Sequence, residues 1–571
     1  MKFLSCFRSR SAVMFALFTF ATSTTTAQKV TVINMIPRSS SNETNQDSEP
    51  NLAVNPANPS QMAGSAFTPN PPGVPAGTSP IYLSGDGGTT WTLSSIIPGS
   101  NHDITLRFGG LSNTLYVSWI DGQFIYLDTE ILRVTPFPTP QNLTVLQDLK
   151  KECIFGFCDV IDQPYVEATT VTAGSGSGSD RVYIGENDIG KAGGNGDTAS
   201  LNQSLDAATA APPAGFNSLY VDARPTCGQD APSVRAAVHS SGVVYAAFMH
   251  ESQCSSLPIT SDLVVVRDDN WGASTVPYSD LKGTDTNPGV AIVTGISSQF
   301  TRDCIGSTGP ACMGTERLGS PISIAVDPNN AGNVWVAWAD GTDAPNYTLH
   351  VRFSNDKGLT WHGDVRTVTP ATNPALAVNS KGVVGFLYQK FVAHGDCLRP
   401  KNDNGTSCWE THLETSSVGS TWSDLKLANT PDEPAQFNPS LGDYIHLMSV
   451  DKTLYGIFSA NNFPAMSNFP QRVIYQRNVD FMTNRLLDVN SAAEVSISVD
   501  PFFFSIVPDP CQSMVDNIQA LQDQMDELDN LLGDPGISQA AQQRIRATIR
   551  GLAKLMANEK AQLQQCELQH Q

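Results

Sequence analysis

The pattern of hydrophobic and polar residues along the chain repeats one module seven times. Each copy opens with a polar residue, usually followed by Pro, and continues as a short apolar run. The chain then turns at Asn, Asp or Gly and resumes as a second run rich in Val, Tyr and Trp. Two apolar runs joined by such a turn predict a pair of β-strands. The modules start near residues 50, 103, 164, 232, 321, 374 and 439.

The spacing of the modules predicts the fold. Successive starts lie 53 to 89 residues apart, which leaves room for four strands and loops of variable length. Repeats of this size are typical of propeller blades and not of solenoid coils. The sequence therefore predicts an all-β chain whose residues 28–507 form a β-propeller of seven four-stranded blades. Six blades are the alternative, if the copy at Asp103 or another copy is only an insertion.

Two segments that follow predicted strands share the pattern S-x-D-x-G-x-T-W. One contains Ser84, Asp86, Gly88 and Trp91, and a worn third copy spans 415–422 with Ser417 in place of Asp. The pattern predicts a hairpin turn in which the Asp carboxylate accepts hydrogen bonds from turn amides, Gly adopts the left-handed conformation, and Trp packs beside the strands. The second full copy contains Ser354, Asp356, Gly358 and Trp361.

These two turns resemble the Asp-box, or BNR, repeat, whose best-known carriers are the sialidases. The resemblance implies a propeller fold over roughly residues 45–482. In that family the boxes are structural and lie at the periphery of the blades, away from the active site. The boxes therefore bear on the fold and not on catalysis.

The composition changes after Cys511. Apolar residues recur at alternating spacings of three and four in two stretches, Cys511–Leu532 and Ile545–Cys566, joined by Gly533-Asp-Pro-Gly536. This periodicity predicts an antiparallel helical hairpin, similar to a coiled coil, over 508–571. Its apolar stripe either packs on itself or on the propeller, or forms an interface with a second copy or another protein partner.

The first 27 residues predict an export signal. Lys2, Arg8 and Arg10 precede a short apolar run, Ala12 to Ala21, and small residues follow before Gln28. The run is too short to span a bilayer, so we expect a protein with no membrane span that is secreted, periplasmic or on the cell surface. Removal of the signal leaves 31 basic against 55 acidic residues, which makes nucleic acid and anionic membrane poor partners.

Removal of the signal also removes Cys6 and leaves an even number of cysteines, as expected for disulfides. Four close pairs would each staple one loop, and the two remaining cysteines would tie the ends of the hairpin. No spacing typical of a zinc site occurs, so no metal is predicted. The expected pairs are Cys153 with Cys158, Cys227 with Cys254, Cys304 with Cys312, Cys397 with Cys408, and Cys511 with Cys566.

The polar residues that open the modules are the candidate site residues. In a propeller the loops that enter the innermost strands converge at the mouth of the central channel, where ligands bind. Carboxylates crowded there can share a proton, bind Ca²⁺, or act as acid and base. The alternative for each residue is that it caps its own turn. The residues concerned are Glu49, Asp103, Asp162, Asp230, Glu316, Asn373 and Asp443.

The resemblance to sialidases implies three arginines that hold a sugar carboxylate and a Tyr nucleophile served by Glu and Asp. Arg107, Arg235 and Arg317 follow module openings, and Tyr165 and Tyr444 are the candidate nucleophiles. Sialidases begin their first blade with Arg-Ile-Pro. This chain has Met35-Ile36-Pro37 at that point, with Arg38 after the proline.

Two classes of function therefore lead. The first is an exo-acting glycosidase of sialidase type, or a relative that acts on another glycan or glycoconjugate. The second, favoured by the displaced arginine, is a non-catalytic propeller that binds glycan or protein at the cell surface; a polysaccharide lyase is third. No cofactor is predicted, although Ca²⁺ could bind a Gly-rich loop through Asp180 or Asp197.

Overall fold

The computed structural model describes most of the chain between residues 30 and 570. The described residues are 30–67, 78–98, 103–110, 113–123, 126–135, 137, 143–149, 153–154, 157–158, 161–174, 176–188, 199–209, 215–227, 234–256, 258–298, 322–341, 347–393, 395, 397–398, 407–417, 419–431, 441–509, 511–533 and 537–570.

The first half of the chain forms a short strand and then antiparallel sheets of four strands each. β1 is Val32–Asn34. Sheet 1 contains β2 (Ser48–Val54), β3 (Met62–Phe67), β4 (Thr78–Ser84) and β5 (Thr92–Pro98). Sheet 2 contains β6 (Ile104–Phe108), β7 (Leu115–Gln123), β8 (Tyr126–Val134) and β9 (Leu143–Leu149). A two-stranded ribbon, β10 (Cys153–Ile154) and β11 (Phe157–Cys158), precedes sheet 3, which contains β12 (Ile161–Thr170), β13 (Asp180–Asp188), β14 (Ala199–Ser204) and β15 (Asn217–Tyr220).

The second half repeats this arrangement. Sheet 4 contains β16 (Arg235–Val238), β17 (Val244–Gln253), β18 (Ile259–Asp268) and β19 (Val290–Ser298). Sheet 5 contains β20 (Ser323–Asp327), β21 (Asn330–Asp340), β22 (Thr348–Ser354) and β23 (Arg366–Val368). Sheet 6 contains β24 (Ala371–Val378), β25 (Val384–Val392), β26 (Cys408–Ser416) and β27 (Ser423–Pro431).

The last large sheet combines strands from both ends of the β region. Sheet 7 begins with β28 (His446–Val450) and β29 (Thr453–Asn461), and includes β30 (Val473–Ile474). A separate small sheet follows, with β31 (Asn478–Asp480), β32 (Arg485–Leu487) and β33 (Glu494–Val495). β34 (Val499–Ile506) then pairs with β29 on one side and with β1 on the other, so the order of sheet 7 is β28-β29-β34-β1-β30. Two turns of 3₁₀ helix, Arg38–Ser40 and Met466–Asn468, flank these strands.

All-β architecture with four-stranded antiparallel sheets was predicted, and it is observed. Each of the seven predicted modules coincides with the start of one sheet, including the copy at Asp103 that opens sheet 2. The first strand of each sheet contacts the first strand of the next sheet, from β2 through β6, β12, β16, β20 and β24 to β28, and β28 contacts β2. Strands β2, β6 and β24 are buried along their whole length because neighbouring sheets cover both faces.

The core lies between adjacent sheets. One cluster, which includes Leu413, Leu454 and Phe502, joins sheets 6 and 7, and another, which includes Leu52, Trp91 and Phe503, joins sheets 7 and 1. Since β34 carries both Phe502 and Phe503, its alternating side chains serve the two neighbouring sheets at once. The three-residue strand β1 was not predicted from the sequence.

The two turns with the S-x-D-x-G-x-T-W pattern have the same hydrogen bonds. In the turn after β22, Asp356 accepts from the Thr360 amide at 2.9 Å and from Ser354 Oγ at 2.7 Å. Gly358 has φ +80°, its amide donates to Ser354 Oγ, and Trp361 Nε1 donates to its carbonyl at 3.0 Å. The equivalent bonds in the turn after β4 join Ser84, Asp86, Gly88, Thr90 and Trp91.

The third, worn turn is built differently. The Gly419 amide donates to Ser416 Oγ at 2.8 Å, so the accepting hydroxyl belongs to the residue after Thr415. Ser417 Oγ, at the position of the Asp, has no hydrogen-bond partner among the described residues. Trp422 Nε1 donates to the Val365 carbonyl of the preceding sheet instead of the turn glycine. The turn therefore lacks the carboxylate-centred network of the other two.

Three of the expected disulfides are present. Cys227 is bonded to Cys254, Cys397 to Cys408, and Cys511 to Cys566. Cys153 and Cys158 face each other across β10 and β11, and nothing is described of their side chains. Cys304 and Cys312 lie outside the described residues.

The C-terminal segment forms the predicted helical hairpin. Helix α1 is Gln512–Leu532 and helix α2 is Gln539–His570, and the disulfide between Cys511 and Cys566 closes the open end. The base of α1 contacts β27, where Ser423 Oγ donates to the Asp516 carboxylate. Within the described part of the chain, no helix has the length and apolar character needed to cross a membrane.

Candidate functional site

A cavity of about 400 Å³ lies where the first strands of all seven large sheets meet. Each of these strands contributes side chains to its wall, and the wall mixes apolar and polar groups. The cavity contacts the second half of each first strand and reaches inward to Arg107, Tyr165, Glu167 and Arg235. A volume of this size falls within the roughly 300–1,000 Å³ of sites that bind small molecules.

Five buried or half-buried side chains fill the channel at the inner end of this cavity. This group is called the central layer below, and all of its members except Arg107 also line a much smaller cavity of about 10 Å³ towards the opening ends of the strands. The module pattern predicted the site at those opening ends. The central layer consists of Arg107, Tyr165, Arg235, Tyr444 and His446.

Tyr165 lies between two arginines. The guanidinium of Arg235 lies over its ring, with 4.2 Å between Cζ and the ring centroid. The Arg107 guanidinium is near enough for its charge to interact with Tyr165, and both side chains line the cavity. Arg107 also forms an ion pair with Glu167, with 3.0 Å between Nη2 and Oε2. Tyr165 and Glu167 are two positions apart on β12, so both point into the channel. The result is an aromatic hydroxyl held between two cations, with a carboxylate beside it.

His446 packs edge-on against Tyr165, with 6.0 Å between the ring centroids. The Leu52 amide approaches its Nδ1 at 3.2 Å, and Arg107 approaches its Nε2 at 3.1 Å. Both neighbours are donors, so a protonated imidazole would have no acceptor on either side. Burial and the charge of Arg107 lower the pKa of His446 well below its usual value. His446 is therefore neutral and cannot act as a general acid here.

Tyr444 is buried, and its hydroxyl has no hydrogen-bond partner among the described residues. Burial raises the pKa of Tyr444 well above its usual value, and the charges of Asp103 and Glu49 raise it further. Burial lowers the pKa of Arg235, whereas Tyr165, Tyr444 and Asp103 act in the opposite direction. Tyr444 therefore stays protonated in this structure, whereas Tyr165 is only half-buried and faces the larger cavity.

Residues before proline at three module openings share an unusual backbone. Glu49, Gln163 and Asn373 have φ values of +52°, +49° and +54°, although a following proline disfavours that region. The strand register shifts at each of these positions. Such strain persists only where surrounding contacts impose it, and it is frequent at functional sites.

Those contacts converge on the loop before β28. Gln163 Nε2 donates to Asp443 Oδ2 at 3.1 Å, and Asn373 Nδ2 donates to the Gly442 carbonyl at 3.1 Å. A Cβ at Gly442 would lie 2.5 Å from the amide nitrogen of Glu49, so only glycine fits there. The openings of sheets 1, 3, 6 and 7 thus meet at one end of the channel.

The predicted site residues fall into two groups. Arg107, Arg235, Tyr165 and Tyr444 come together in the central layer. Asp103, Glu49 and Asp443 surround the layer on its opening side, as their electrostatic effects on Tyr444 show. For Asp162 only the backbone, in β12, is described. Asp230, Glu316 and Arg317 lie outside the described residues.

Sequence reasoning missed three residues of this region, namely Glu167, His446 and Gln163. Glu167 lies two positions after Tyr165 on β12, so alternation along the strand could have identified it. His446 is the first residue of β28, two positions after Tyr444, which precedes the strand. Arg38, the displaced arginine, is exposed and follows β1, the fourth strand of sheet 7. It does not line the cavity of the central layer.

One group of carboxylates among the described residues is close enough to share a cation. Glu43, Asp47 and Asp500 are buried, and their oxygens lie within 4.8 Å of one another. The Arg477 guanidinium already occupies this cluster and donates to Asp500 and to the Glu43 carbonyl. Burial raises the pKa of Glu43 well above its usual value, and Asp47 adds to the shift. The other donors to Asp500 are Asn34, Asn462 and Ser498.

Asp180, which was considered as a Ca²⁺ ligand, is also buried and engaged. It accepts hydrogen bonds from the Tyr116 hydroxyl at 2.7 Å and from Thr170 Oγ1 at 2.5 Å. These bonds join sheet 2 to the β12–β13 hairpin. Asp197, the other candidate, lies outside the described residues.

No family model matches this sequence, and no curated protein matches it. Among solved structures, the chain is similar to a protein of unknown function from Dyadobacter fermentans, with a TM-score of 0.36 and 10% identity over 84% of this chain and 99% of the other. It is also similar to an α-L-arabinanase from Penicillium chrysogenum solved with arabinobiose, with a TM-score of 0.35 and 14% identity over 64% and 94% of the two chains. An α-L-arabinofuranosidase from Fusarium graminearum, solved with an iminosugar inhibitor, has a TM-score of 0.32 and 13% identity over 83% and 97%.

Proposed function

We propose that the chain is a secreted, carbohydrate-active β-propeller with seven blades of the Asp-box type. The contacts between successive first strands support a ring, because β28 contacts both β24 and β2. The pairing of β1 with β34 also supports closure of the ring of blades, since it joins the start of the β region to its end. The matched hydrogen bonds around Asp86 and Asp356 support the resemblance to Asp-box proteins. The three disulfides are compatible with secretion.

The proposed glycan site is the cavity that ends at the central layer. An aromatic ring and two arginines are groups that bind sugar rings and their anionic substituents. Because the central layer fills the channel, a sugar in the cavity has to enter by one end, which favours an exo-acting enzyme over one that cleaves within a chain. The single observation that carries this proposal is Tyr165 held between Arg107 and Arg235 on the wall of the cavity.

In the proposed reaction, Tyr165 is the nucleophile. Its hydroxyl loses a proton to Glu167, its oxygen bonds to the anomeric carbon, and the glycosidic C–O bond breaks. The leaving oxygen takes that proton from Glu167, the carboxyl group that lines the same cavity. Water then cleaves the bond between sugar and Tyr165. The cations of Arg107 and Arg235 offset the negative charge that develops on the attacking oxygen. We propose Tyr165 in preference to Tyr444 because the buried Tyr444 hydroxyl has no hydrogen-bond partner among the described residues.

The test is hydrolysis of a panel of aryl glycosides that includes sialosides and α-L-arabinofuranosides. We expect the wild-type protein to release the aryl group from at least one of them. Y165F should lower kcat by at least 100-fold and leave binding of the same sugar largely intact, because the ring under Arg235 remains. The matched control is Y220F, which makes the same change at an exposed tyrosine in the outer strand of sheet 3. Turnover unaffected by Y165F would overturn the assigned role.

Sialidase type is the narrower form of this proposal. It needs a third arginine at the sugar carboxylate. Arg38 does not line the cavity, and Arg317 is the remaining candidate. Release of the aryl group from sialosides, lost in R317M, would support sialidase activity. Release from the uncharged glycosides alone would exclude sialidase activity and leave the broader proposal of a glycosidase in place.

A non-catalytic glycan-binding propeller is the second candidate. It is favoured by the ion pair between Arg107 and Glu167, which neutralises one of the two cations before any ligand arrives. Binding on a glycan array, lost in R235M but with no hydrolysis of any bound glycan, would establish this candidate over the first. An unsaturated sugar among the products would instead indicate elimination by a lyase.

A further inference from the structure

The helical hairpin leaves much of its own apolar surface uncovered. Only its base is buried, where Cys511, Met514 and Cys566 form a cluster with Leu563. Farther along, the apolar residues between the two helices are only half-buried. Leu531 and Leu555 are exposed, with 45% and 54% of their surface open to solvent. A pair of helices covers its apolar stripe from one side only, and a further layer of helices is what completes such a core.

The two helices also carry opposite charge. Helix α1 has five acidic residues and no basic residue, and four of the five lie in its distal half, between 523 and 529. Helix α2 has five basic and two acidic residues, and three of the basic ones lie in its distal part, namely Arg544, Arg546 and Arg550. The acidic and basic groups of the hairpin are therefore both concentrated towards its tip.

These charges are not paired within the hairpin. Among the described residues, no ion pair joins α1 to α2, and none of the five basic residues of α2 has an acidic partner elsewhere. The acidic residues Asp523 and Asp526 accept hydrogen bonds only from the glutamines one turn earlier, Gln519 and Gln522. Both sets of charged residues are exposed and are open to a partner.

We propose that the hairpin is a self-association surface. A second copy of the chain packs its own hairpin alongside, with the two hairpins pointing in the same direction and their tips at the same end. In this arrangement α1 of one copy lies against α2 of the other, and a two-fold axis runs along the hairpins. All four neighbouring pairs of helices are then antiparallel and of opposite charge. The half-buried residues of the two stripes, such as Leu521, Leu528, Ile549 and Met556, meet in the core of a four-helix bundle.

The charges select this partner and alignment. A tip-to-base arrangement would place the acidic segment 523–529 against the proximal part of α2, where Glu559 and Glu567 outnumber the single basic residue Lys560. An acidic or a purely basic helix from another protein would match only one of the two helices, whereas a second hairpin matches both. This inference goes beyond the glycan site, since the contacts described between the hairpin and sheet 6 lie at the base of α1.

The experiment uses the full mature chain and three charge-reversal proteins. One carries R544E, R546E and R550E, so both of its helices are acidic. A second carries D523K, D526K and E527K, so both of its helices are basic. The control reverses two exposed basic residues outside the hairpin, with K452E and R485E. Mass in solution is measured by light scattering and sedimentation, and far-ultraviolet circular dichroism reports whether the helices have formed.

We expect the wild-type protein and the control to have twice the mass of the single chain. Each hairpin variant alone should be monomeric, with a dissociation constant raised about 100-fold or more by like charges in place of opposite ones. An equimolar mixture of the two variants should restore the dimer, because each then supplies the charge that the other lacks. Restoration in the mixture also shows that the variants are folded.

Three results would overturn the proposal. The first is a wild-type protein that remains monomeric at the highest concentration reached. The second is a dimer that both hairpin variants retain, which would place the interface elsewhere. The third is a mixture that stays monomeric although both variants keep their helical signal.

Discussion

Arg477 is the residue on which the buried acidic cluster of sheet 7 depends. Its side chain has no exposure, and it donates to Asp500, which is equally buried. Burial and the charge of Asp47 raise the pKa of Glu43, and Arg477 is the cation that offsets the negative charge of this cluster. The guanidinium also binds the Glu43 carbonyl, so it ties the segment before β2 to β34.

Replacement of Arg477 by methionine should be among the most destabilising single changes in the molecule. It leaves Asp500 buried without a cation, a change that typically costs about 3–5 kcal/mol. Urea unfolding of R477M and wild type measures the difference. The control is R485M, because Arg485 is half exposed and forms only long contacts with Asp480 and Glu494. If R477M loses no more unfolding free energy than R485M, another group must offset the negative charge of the cluster.

His412 makes the stability of sheet 6 depend on pH. Burial alone would lower its pKa, but hydrogen bonds from the ring to Asp424 and Glu410 outweigh burial and raise the pKa to about 8. The folded value lies above the usual 6.5, so the protonated ring stabilises the fold. This contribution is complete below about pH 6.5 and is lost as the pH rises through 8.

The expected size of this effect is on the order of 2 kcal/mol, since one pKa unit corresponds to about 1.4 kcal/mol. Free energies of unfolding at about pH 6 and about pH 9 should therefore differ by less in H412Q than in the wild-type protein. H362Q changes an exposed histidine of the neighbouring sheet and should retain the full difference. Equal pH dependence in all three proteins would contradict the assignment.

The sequence predicted part of the site at the level of single residues. Arg107, Arg235 and Tyr165 were identified because their types and their places after module openings suit sugar binding. His446 was missed because its role depends on Leu52 and Arg107, which reach it from other sheets. Gln163 was missed because its left-handed backbone, next to proline, follows from contacts with a loop 280 positions away and not from local preference.

At the scale of single elements, the turns were the most predictable features. The hydrogen bonds of the turn after β22 are all made within eight residues, so the local sequence is sufficient to specify them. The hairpin was equally predictable, because its apolar spacing is local. Strand β1 was not predicted, because three residues carry no periodicity and the strand forms only against β34 and β30.

Asp356 should contribute measurably to the stability of sheet 5. Its carboxylate accepts three hydrogen bonds that hold the turn, and D356A should lower the free energy of unfolding by about 1 kcal/mol, a modest value because the turn is largely exposed. The matched control is N355A, one residue earlier, whose exposed side chain makes no contact that D356A removes. Equal unfolding midpoints for the two variants would contradict the structural role of the carboxylate.

At the scale of the whole molecule, the arrangement of the sheets depends on the segment that contains β1. Val32, Ile33, Met35 and Ile36 are buried, and burial of each such side chain contributes about 1.5–3 kcal/mol. Together they are comparable to the net stability of a typical domain, about 5–15 kcal/mol. The sequence predicted the number of modules but not this joint, because it brings together residues from the two ends of the β region.

Deletion of residues 28–36 should therefore destabilise all the sheets and not only sheet 7. Thermal unfolding should begin at a much lower temperature, and limited proteolysis should cut in several sheets at once. Deletion of 508–571 is the comparison. Among the described residues the main contact between the hairpin and the sheets joins the base of α1 to β27, so this deletion should leave the unfolding of the β region nearly unchanged. If deletion of 508–571 lowers the unfolding temperature of the β region more than deletion of 28–36 does, the β1 segment is not what the arrangement of the sheets depends on.

The pairing of β1 with β34 also has a consequence for the order of events as the chain is made. Asn34 and Asp500, which are hydrogen-bonded, are 466 positions apart, so the ribosome must complete almost the whole β region before they can meet. Until then β1 can pair only with the two-residue strand β30, and sheets 6 and 1 lack the cover that Phe502 and Phe503 of β34 supply. Sheet 7 is therefore completed only after the last β-strand of the chain has been synthesised.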